Sequence, residues 1–209
     1  MSGAGARGGA DLVAPGVDDV DVRGAGDAAM GGGTVAPGDT AAHDGVGLTR
    51  VGAGTWRSAS VADTQALGER LGGLLGEGDV LVLTGDLGAG KTQLTKGIAR
   101  GLGVRDDVTS PTFTIEMVHE GARTRLHHVD LYRLDDAAQL EDTGLFDVLG
   151  YDGVCVIEWG ERFADELGDD RLDVCVTRLD DEAAPGEEPP RLVRLVARGT
   201  RAEKIVAAM

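Results

Sequence analysis

The chain has 209 residues and a formal net charge of −16, with 34 glycines and seven aromatic residues. That length suits one domain with some surplus, and the acidity disfavours a stand-alone nucleic-acid binder, whose surface must attract phosphate. No apolar run approaches the ~18 residues of a membrane-spanning helix, and the Gly/Ala/Asp-rich start lacks the basic-then-apolar layout of a secretory leader.

Residues 1–50 hold 13 glycines and no aromatic residue. Such a stretch buries too little apolar surface to offset its ordering entropy, so a disordered extension is expected there, with a single domain over residues 51–209. Trp56–Ser58 reads as a short strand. Ser60 then caps a helix whose Leu67, Leu71, Leu74 and Leu75 recur at helical spacing, with Asp63 three residues past the cap. Asp79–Thr84 is a compact apolar run suited to a buried strand. After a glycine-rich loop, a helix is expected from Lys91 to Leu102, stopped by Gly103. Thr112–His119 and Arg123–Asp130 read as a hairpin about Glu120-Gly121, residues 134–149 as helical, and Val154–Ile157 as a second buried strand. A short helix near Glu161–Leu167, strands at Leu172–Thr177 and Leu192–Ala197, and a terminal helix at Arg201–Ala208 complete the order. Units of βα mixed with an antiparallel hairpin imply a mixed α/β sheet. The two cysteines, Cys155 and Cys175, stand alone among apolar residues; buried free thiols in a reducing, cytoplasmic setting are expected.

Gly85-Asp86-Leu87-Gly88-Ala89-Gly90-Lys91-Thr92 matches G-x-x-x-x-G-K-[ST] in full, with a strand running in and a helix running out. The glycines let backbone N–H groups wrap a phosphate, and the helix adds the positive end of its dipole. Lys91 is expected to reach the β- and γ-phosphates, and the Thr92 hydroxyl to bind Mg²⁺. Such a loop needs an acid at the end of a neighbouring buried strand. Two residues compete for that place: Glu158, closing Val154–Ile157, and Asp130, closing Leu126–Val129, with His128 on the same strand face as Asp130. Ser110-Pro111-Thr112-Phe113 offers hydroxyls on a stiffened segment able to close over a terminal phosphate, and reads equally well as an ordinary turn.

Together GDLGAGKT (85–92), SPTFT (110–114), HVDLYRL (128–134) and IEWGER (157–162) resemble the TsaE family, small P-loop ATPases of tRNA threonylcarbamoyladenosine biosynthesis. The likeness runs from about Trp56 to Ala197. It implies a P-loop NTPase-like three-layer α/β sandwich, its mixed sheet parallel at the centre and antiparallel at the margins. It further implies ATP in the loop Gly85–Thr92, Mg²⁺ on Thr92 and Glu158, and Asp130 orienting the attacking water. Ser110, Pro111, Thr112 and Phe113, with His128, Tyr132 and Arg133, would form two switch-like segments, and Trp159 would pack beside the nucleotide. The resemblance implies action with TsaB and TsaD subunits, contact with tRNA only through that complex, and carbamoyl chemistry left to TsaD. His119 stands where an aromatic residue is common in the family.

Three readings compete. The first is an ATPase subunit of tRNA modification. A small-molecule kinase would need an arginine-bearing lid, and Arg100, Arg105, Arg133 and Arg162 are scattered. A nucleotide-binding interaction module without turnover is the third. A GTPase is disfavoured because the chain contains no Asn, which an N-K-x-D guanine-reading motif requires.

Overall fold

The computed structural model describes residues 47–209. The expected extension lies outside the described residues up to residue 46. Its last residues belong to the fold, because Leu48–Gly52 forms strand β1, paired antiparallel with β2 (Thr55–Ser58). The boundary expected at residue 50 is therefore too late. Strand β1 is an edge strand with no fully buried side chain; backbone pairing rather than burial holds it, so it carries no apolar alternation to read.

Among the described residues one eight-stranded sheet forms. Its other strands are β3 (Val80–Thr84), β4 (Glu116–His119), β5 (Leu126–Asp130), β6 (Val154–Glu158), β7 (Arg171–Arg178) and β8 (Arg191–Arg198). The order is β1-β2-β8-β7-β3-β6-β5-β4. The pairs β7/β3, β3/β6 and β6/β5 are parallel, while β1/β2, β2/β8, β8/β7 and β5/β4 are antiparallel. The centre is parallel and the margins antiparallel, as the family resemblance implies.

Strand periodicity splits the core into two layers. From β3, Leu81 and Leu83 face helices α1 (Val61–Leu74) and α2 (Lys91–Leu102), while Val80 and Val82 face the opposite side. From β6, Val154 and Val156 join the first layer, and Cys155 and Ile157 the second. Helix α1 starts as its sequence dictates. The Asp63 backbone N–H donates to Ser60 Oγ at 3.1 Å, and Ser60 Oγ donates back to Asp63 Oδ2 at 2.7 Å. Helix α2 stops at Gly103, which is left-handed (φ 83°) and returns its N–H to Ala99 and Arg100 carbonyls.

The second layer departs from expectation. Residues 134–149 hold only two single helical turns, α3 (Ala138–Glu141) and α4 (Leu145–Val148), interrupted by Gly144 at φ 75°. Leu140 and Leu145 are buried against the sheet, so burial rather than helix length holds this segment. The expected strand at Thr112 begins only at Glu116. Before it, the Thr114 and Ile115 N–H groups both donate to the Pro111 carbonyl, closing a turn. The helix expected at Glu161–Leu167 is a 3-10 turn over Gly160–Phe163, and the last helix, α5, runs Gly199–Ala208. Both cysteines are free. Cys155 is buried and desolvation pushes its thiol up to about 12, whereas Cys175 is half-buried, correcting the expectation for that residue.

Helices α1 and α2 touch backbone to backbone. A Cβ built on Gly97 would lie 2.1 Å from the Gln65 carbonyl oxygen, and one on Gly72 would lie 2.3 Å from that of Ile98. Only hydrogen fits there, so Gly97→Val is expected to destabilise the fold by about 3 kcal/mol, at the upper end of overpacking costs. Urea unfolding measures this; a midpoint equal to the parent's would show that the helices can part freely.

Candidate functional site

Strand β3 delivers the chain into Gly85–Gly90, and α2 begins immediately after it. Gly85 (φ 146°) leaves no room for a side chain, since a Cβ there would sit 2.2 Å from the Val176 carbonyl oxygen. Gly90 (φ 111°) begins α2 with no side-chain cap, so the N–H groups of the first helical turn stay open to a ligand. From this loop Leu87, Gly88 and Gly90 line a cavity of about 360 Å³, while Gly85, Asp86 and Ala89 lie behind its wall.

Lys91 is 4 % exposed. Its Nζ donates to the Gly85 carbonyl at 2.5 Å and the Asp86 carbonyl at 3.0 Å, and lies 3.8 Å from the Trp159 ring centroid. Burial lowers its pKa from the ordinary lysine value, with Glu158 first among the carboxylates that pull it back. The ammonium is thus held on loop carbonyls and an aromatic face in a site that would favour an anion.

Parallel pairing sets Asp130 directly beside Glu158 at the ends of β5 and β6, yet the two carboxylates have separate partners. Thr92 Oγ1 donates to Glu158 Oε2 at 3.1 Å, and His128 Nε2 lies 2.8 Å from Glu158 Oε1. A carboxylate oxygen accepts, so Nε2 carries the proton of that contact, and His128 Nδ1 is buried without a partner. Asp130 Oδ2 accepts from Ser110 Oγ at 3.0 Å and Thr112 Oγ1 at 2.5 Å, while its Oδ1 accepts from the Tyr132 N–H at 3.0 Å. Both carboxylates are only 3 % exposed.

Among the described residues two non-glycine residues adopt left-handed backbone, and both flank this site: Trp159 (φ 63°), directly after Glu158, and Ile115 (φ 68°), whose carbonyl accepts the Asp130 N–H at 2.8 Å. For β-branched Ile115 this conformation is strained. Tyr132 stacks at a tilt on Trp159 with ring centroids 5.1 Å apart. Phe113 points outward, 84 % exposed, under the Arg133 guanidinium at 4.4 Å. Leu87, at the loop tip, is also exposed, and Asp86 and Ala89 take part through their backbone atoms.

The structure therefore gathers Lys91, Thr92, Ser110, Thr112, Asp130, Tyr132, Glu158 and Trp159 around one cavity. It leaves Pro111, Phe113, His128 and Arg133 behind or beside its wall. Arg162, a candidate lid residue for a kinase, donates to the Leu131, Tyr132 and Leu134 carbonyls instead. Val61, at the capped start of α1, lines the cavity as well. Three further lining residues escape the sequence reading as site groups: Gln93, Glu188 and Arg191. Gln93 directly follows the phosphate loop, so proximity in sequence hinted at it. No local pattern marks the other two.

Among the described residues no group of three His, Cys, Asp or Glu side chains is arranged to hold a metal ion. A cation beside Thr92 and Glu158 would need phosphate oxygens and water to complete its shell, which is the habit of Mg²⁺. The donor set fits such an ion.

A family model described as "Threonylcarbamoyl adenosine biosynthesis protein TsaE" matches residues 58–185. Similar curated proteins are named tRNA threonylcarbamoyladenosine biosynthesis protein TsaE. That of Treponema pallidum is 50 % identical over 110 residues, spanning 53 % of this chain and 81 % of the relative. That of Streptomyces coelicolor is 51 % identical over 115 residues, 54 % and 77 % of the two chains. That of Bacillus subtilis is 40 % identical over 127 residues, 61 % and 79 %. Among solved structures, Bacillus subtilis YdiB superposes with a TM-score of 0.60 at 32 % identity, covering 73 % of this chain and 90 % of YdiB.

Proposed function

This chain belongs to the TsaE family, and we propose that it serves tRNA threonylcarbamoyladenosine biosynthesis as an Mg²⁺-dependent ATPase. In this reading it binds ATP in the loop Gly85–Thr92, hydrolyses it to ADP and phosphate, and acts with the TsaB and TsaD subunits. The biosynthetic role rests on the family and on the names its relatives carry. The nucleotide chemistry rests on one observation above all: two adjacent buried carboxylates hold different partners, Glu158 the hydroxyl of the loop threonine and Asp130 the hydroxyls of a facing segment.

Each residue then has a task. The open N–H groups of the first turn of α2 and the Lys91 ammonium would neutralise the phosphate chain. Thr92 and Glu158 would hold Mg²⁺, which when bound draws charge from the β- and γ-phosphate oxygens. His128 keeps one Glu158 oxygen occupied, aiming the other at Thr92. Asp130, fixed by the Tyr132 N–H, orients the attacking water, and the Ser110–Phe113 segment responds to the terminal phosphate. Trp159 packs against Lys91 and would lie beside the nucleotide.

The net charge of −16 supports reaching tRNA only through a partner complex. Among the described residues no helix is long and apolar enough to cross a membrane. A cytoplasmic setting without a membrane partner is part of this reading, and the free thiols of Cys155 and Cys175 support it.

The test is phosphate release from Mg²⁺·ATP with and without TsaB and TsaD, alongside a pull-down asking whether the three associate only when ATP is present. Absence of both turnover and nucleotide-dependent association would overturn the proposal. A variant refines it. Glu158→Ala is expected to raise the Mg²⁺ concentration needed for half-maximal ATP binding about tenfold, read by calorimetry at stepped Mg²⁺. An unchanged Mg²⁺ dependence would remove Glu158 from the cation's shell.

A further inference from the structure

One buried charge in the cavity is not used by the reaction just described. Arg191, the first residue of β8, is 4 % exposed and lines the cavity wall. Its Nε donates to the Ala89 carbonyl at 3.3 Å and one terminal nitrogen to the Pro189 carbonyl at 3.1 Å. The other terminal nitrogen pairs with Glu188 Oε1 at 2.5 Å, and that carboxylate is 51 % exposed. A Cβ on Gly90 would lie 3.3 Å from Arg191 Nε, so the guanidinium rests against the phosphate loop itself.

Topology says which part of a ligand it would meet. The sheet order β8-β7-β3-β6-β5 puts the loop after β3 in the middle. Glu158 and Asp130 end the strands on one side of it, and Arg191 begins a strand on the other, in register with Arg178 at the end of β7. Four strand spacings separate β8 from β5, about 19 Å. If the terminal phosphate lies toward Glu158 and Asp130, the chain of the nucleotide must run past the loop toward Arg191, Gln93 and Val61. A guanidinium is suited to phosphate oxygens in fixed directions. In the structure the half-exposed Glu188 carboxylate fills that place.

We propose that Arg191 binds the nucleoside end of the nucleotide, at the α-phosphate and ribose, and that Glu188 is the anion it exchanges for the ligand. Both residues lie beyond the 58–185 segment that the family model matches. The inference rests on the ATP-binding reading above.

The test is calorimetric titration of the full chain, Arg191→Gln and Glu188→Gln with Mg²⁺·ATP and with Mg²⁺·ADP. Arg191→Gln is expected to weaken both nucleotides equally, by about tenfold, the size of one charge-assisted hydrogen bond. Glu188→Gln is expected to tighten both by about threefold, because the competing anion is gone. A merely structural ion pair predicts the opposite for Glu188→Gln, which would then bind as the parent does or more weakly; either result overturns the proposal, even if Arg191→Gln fails to fold. A loss in Arg191→Gln confined to ATP would move Arg191 to the terminal phosphate and also overturn it. Parent protein that binds neither nucleotide would sink the ATP-binding reading itself, whereas tight parent binding with an unaltered Arg191→Gln sinks this inference alone.

Discussion

Lys91→Ala is expected to weaken ATP binding at least about a hundredfold, because the buried ammonium would supply charge-assisted contacts to phosphate in a water-poor site. Isothermal calorimetry reads it directly, and affinity within threefold of the parent would refute the assignment of the loop. The burial of Lys91 adds a second expectation. Burial lowers the pKa of Lys91, so the unfolded lysine takes up its proton at a higher pH than the folded one. Stability from this group is therefore lost as pH falls from the ordinary value of 10.5 through the lowered one, and the deficit persists at neutral pH. Lys91→Met keeps the apolar stem without the charge. It is expected to melt no lower than the parent while binding no ATP. Conversely, an anionic phosphate favours the charged amine, so ATP affinity is expected to begin falling at a pH below 10.5 as Lys91 deprotonates.

What could be read from the chain alone follows from how local the governing physics is. Helix α2 was legible from end to end because its start is a phosphate-loop glycine and its stop is Gly103, both local backbone requirements. The two-layer core was legible in β3 and β6, whose alternate residues divide cleanly between faces. Strand β1 was not, since it buries almost nothing and exists by pairing with β2. The turn before β4 was legible as one of two readings of Ser110–Phe113, but the convergence of two N–H groups on the Pro111 carbonyl and the left-handed Ile115 beside Asp130 were not. The close packing of α1 on α2 was not legible either: a carbonyl of the facing helix fills the space that a side chain on Gly68, Gly72, Gly97 or Gly101 would need, and only the tertiary contact shows it. The candidate site divides the same way. Lys91, Thr92, Glu158 and Asp130 sit at strand ends and a motif, and the geometry brings them together. Arg191 arrives from a strand that runs antiparallel back to the same sheet edge, so only tertiary pairing reveals it.

Asp130→Asn is expected to leave ATP affinity within about threefold of the parent and to cut turnover about a thousandfold, within the range lost when a positioned base is removed. The replacement is nearly isosteric. Its side-chain oxygen can still accept the Tyr132 N–H, and its amide can donate to the Ser110 and Thr112 hydroxyls that now donate to Oδ2. The Ile115 carbonyl still receives the backbone N–H of residue 130. What disappears is the negative charge that would polarise a water toward the terminal phosphate, so the defect belongs in kcat rather than in binding. Glu158→Ala is expected to differ in kind, shifting Mg²⁺ dependence first. Single-turnover phosphate release with the TsaB and TsaD subunits present, set beside calorimetry without them, separates the two. If Asp130→Asn turned over at the parent's rate, or if both variants lost Mg²⁺-dependent binding alike, the carboxylates would share one task, and the distinct partners they hold in the structure would have no catalytic meaning.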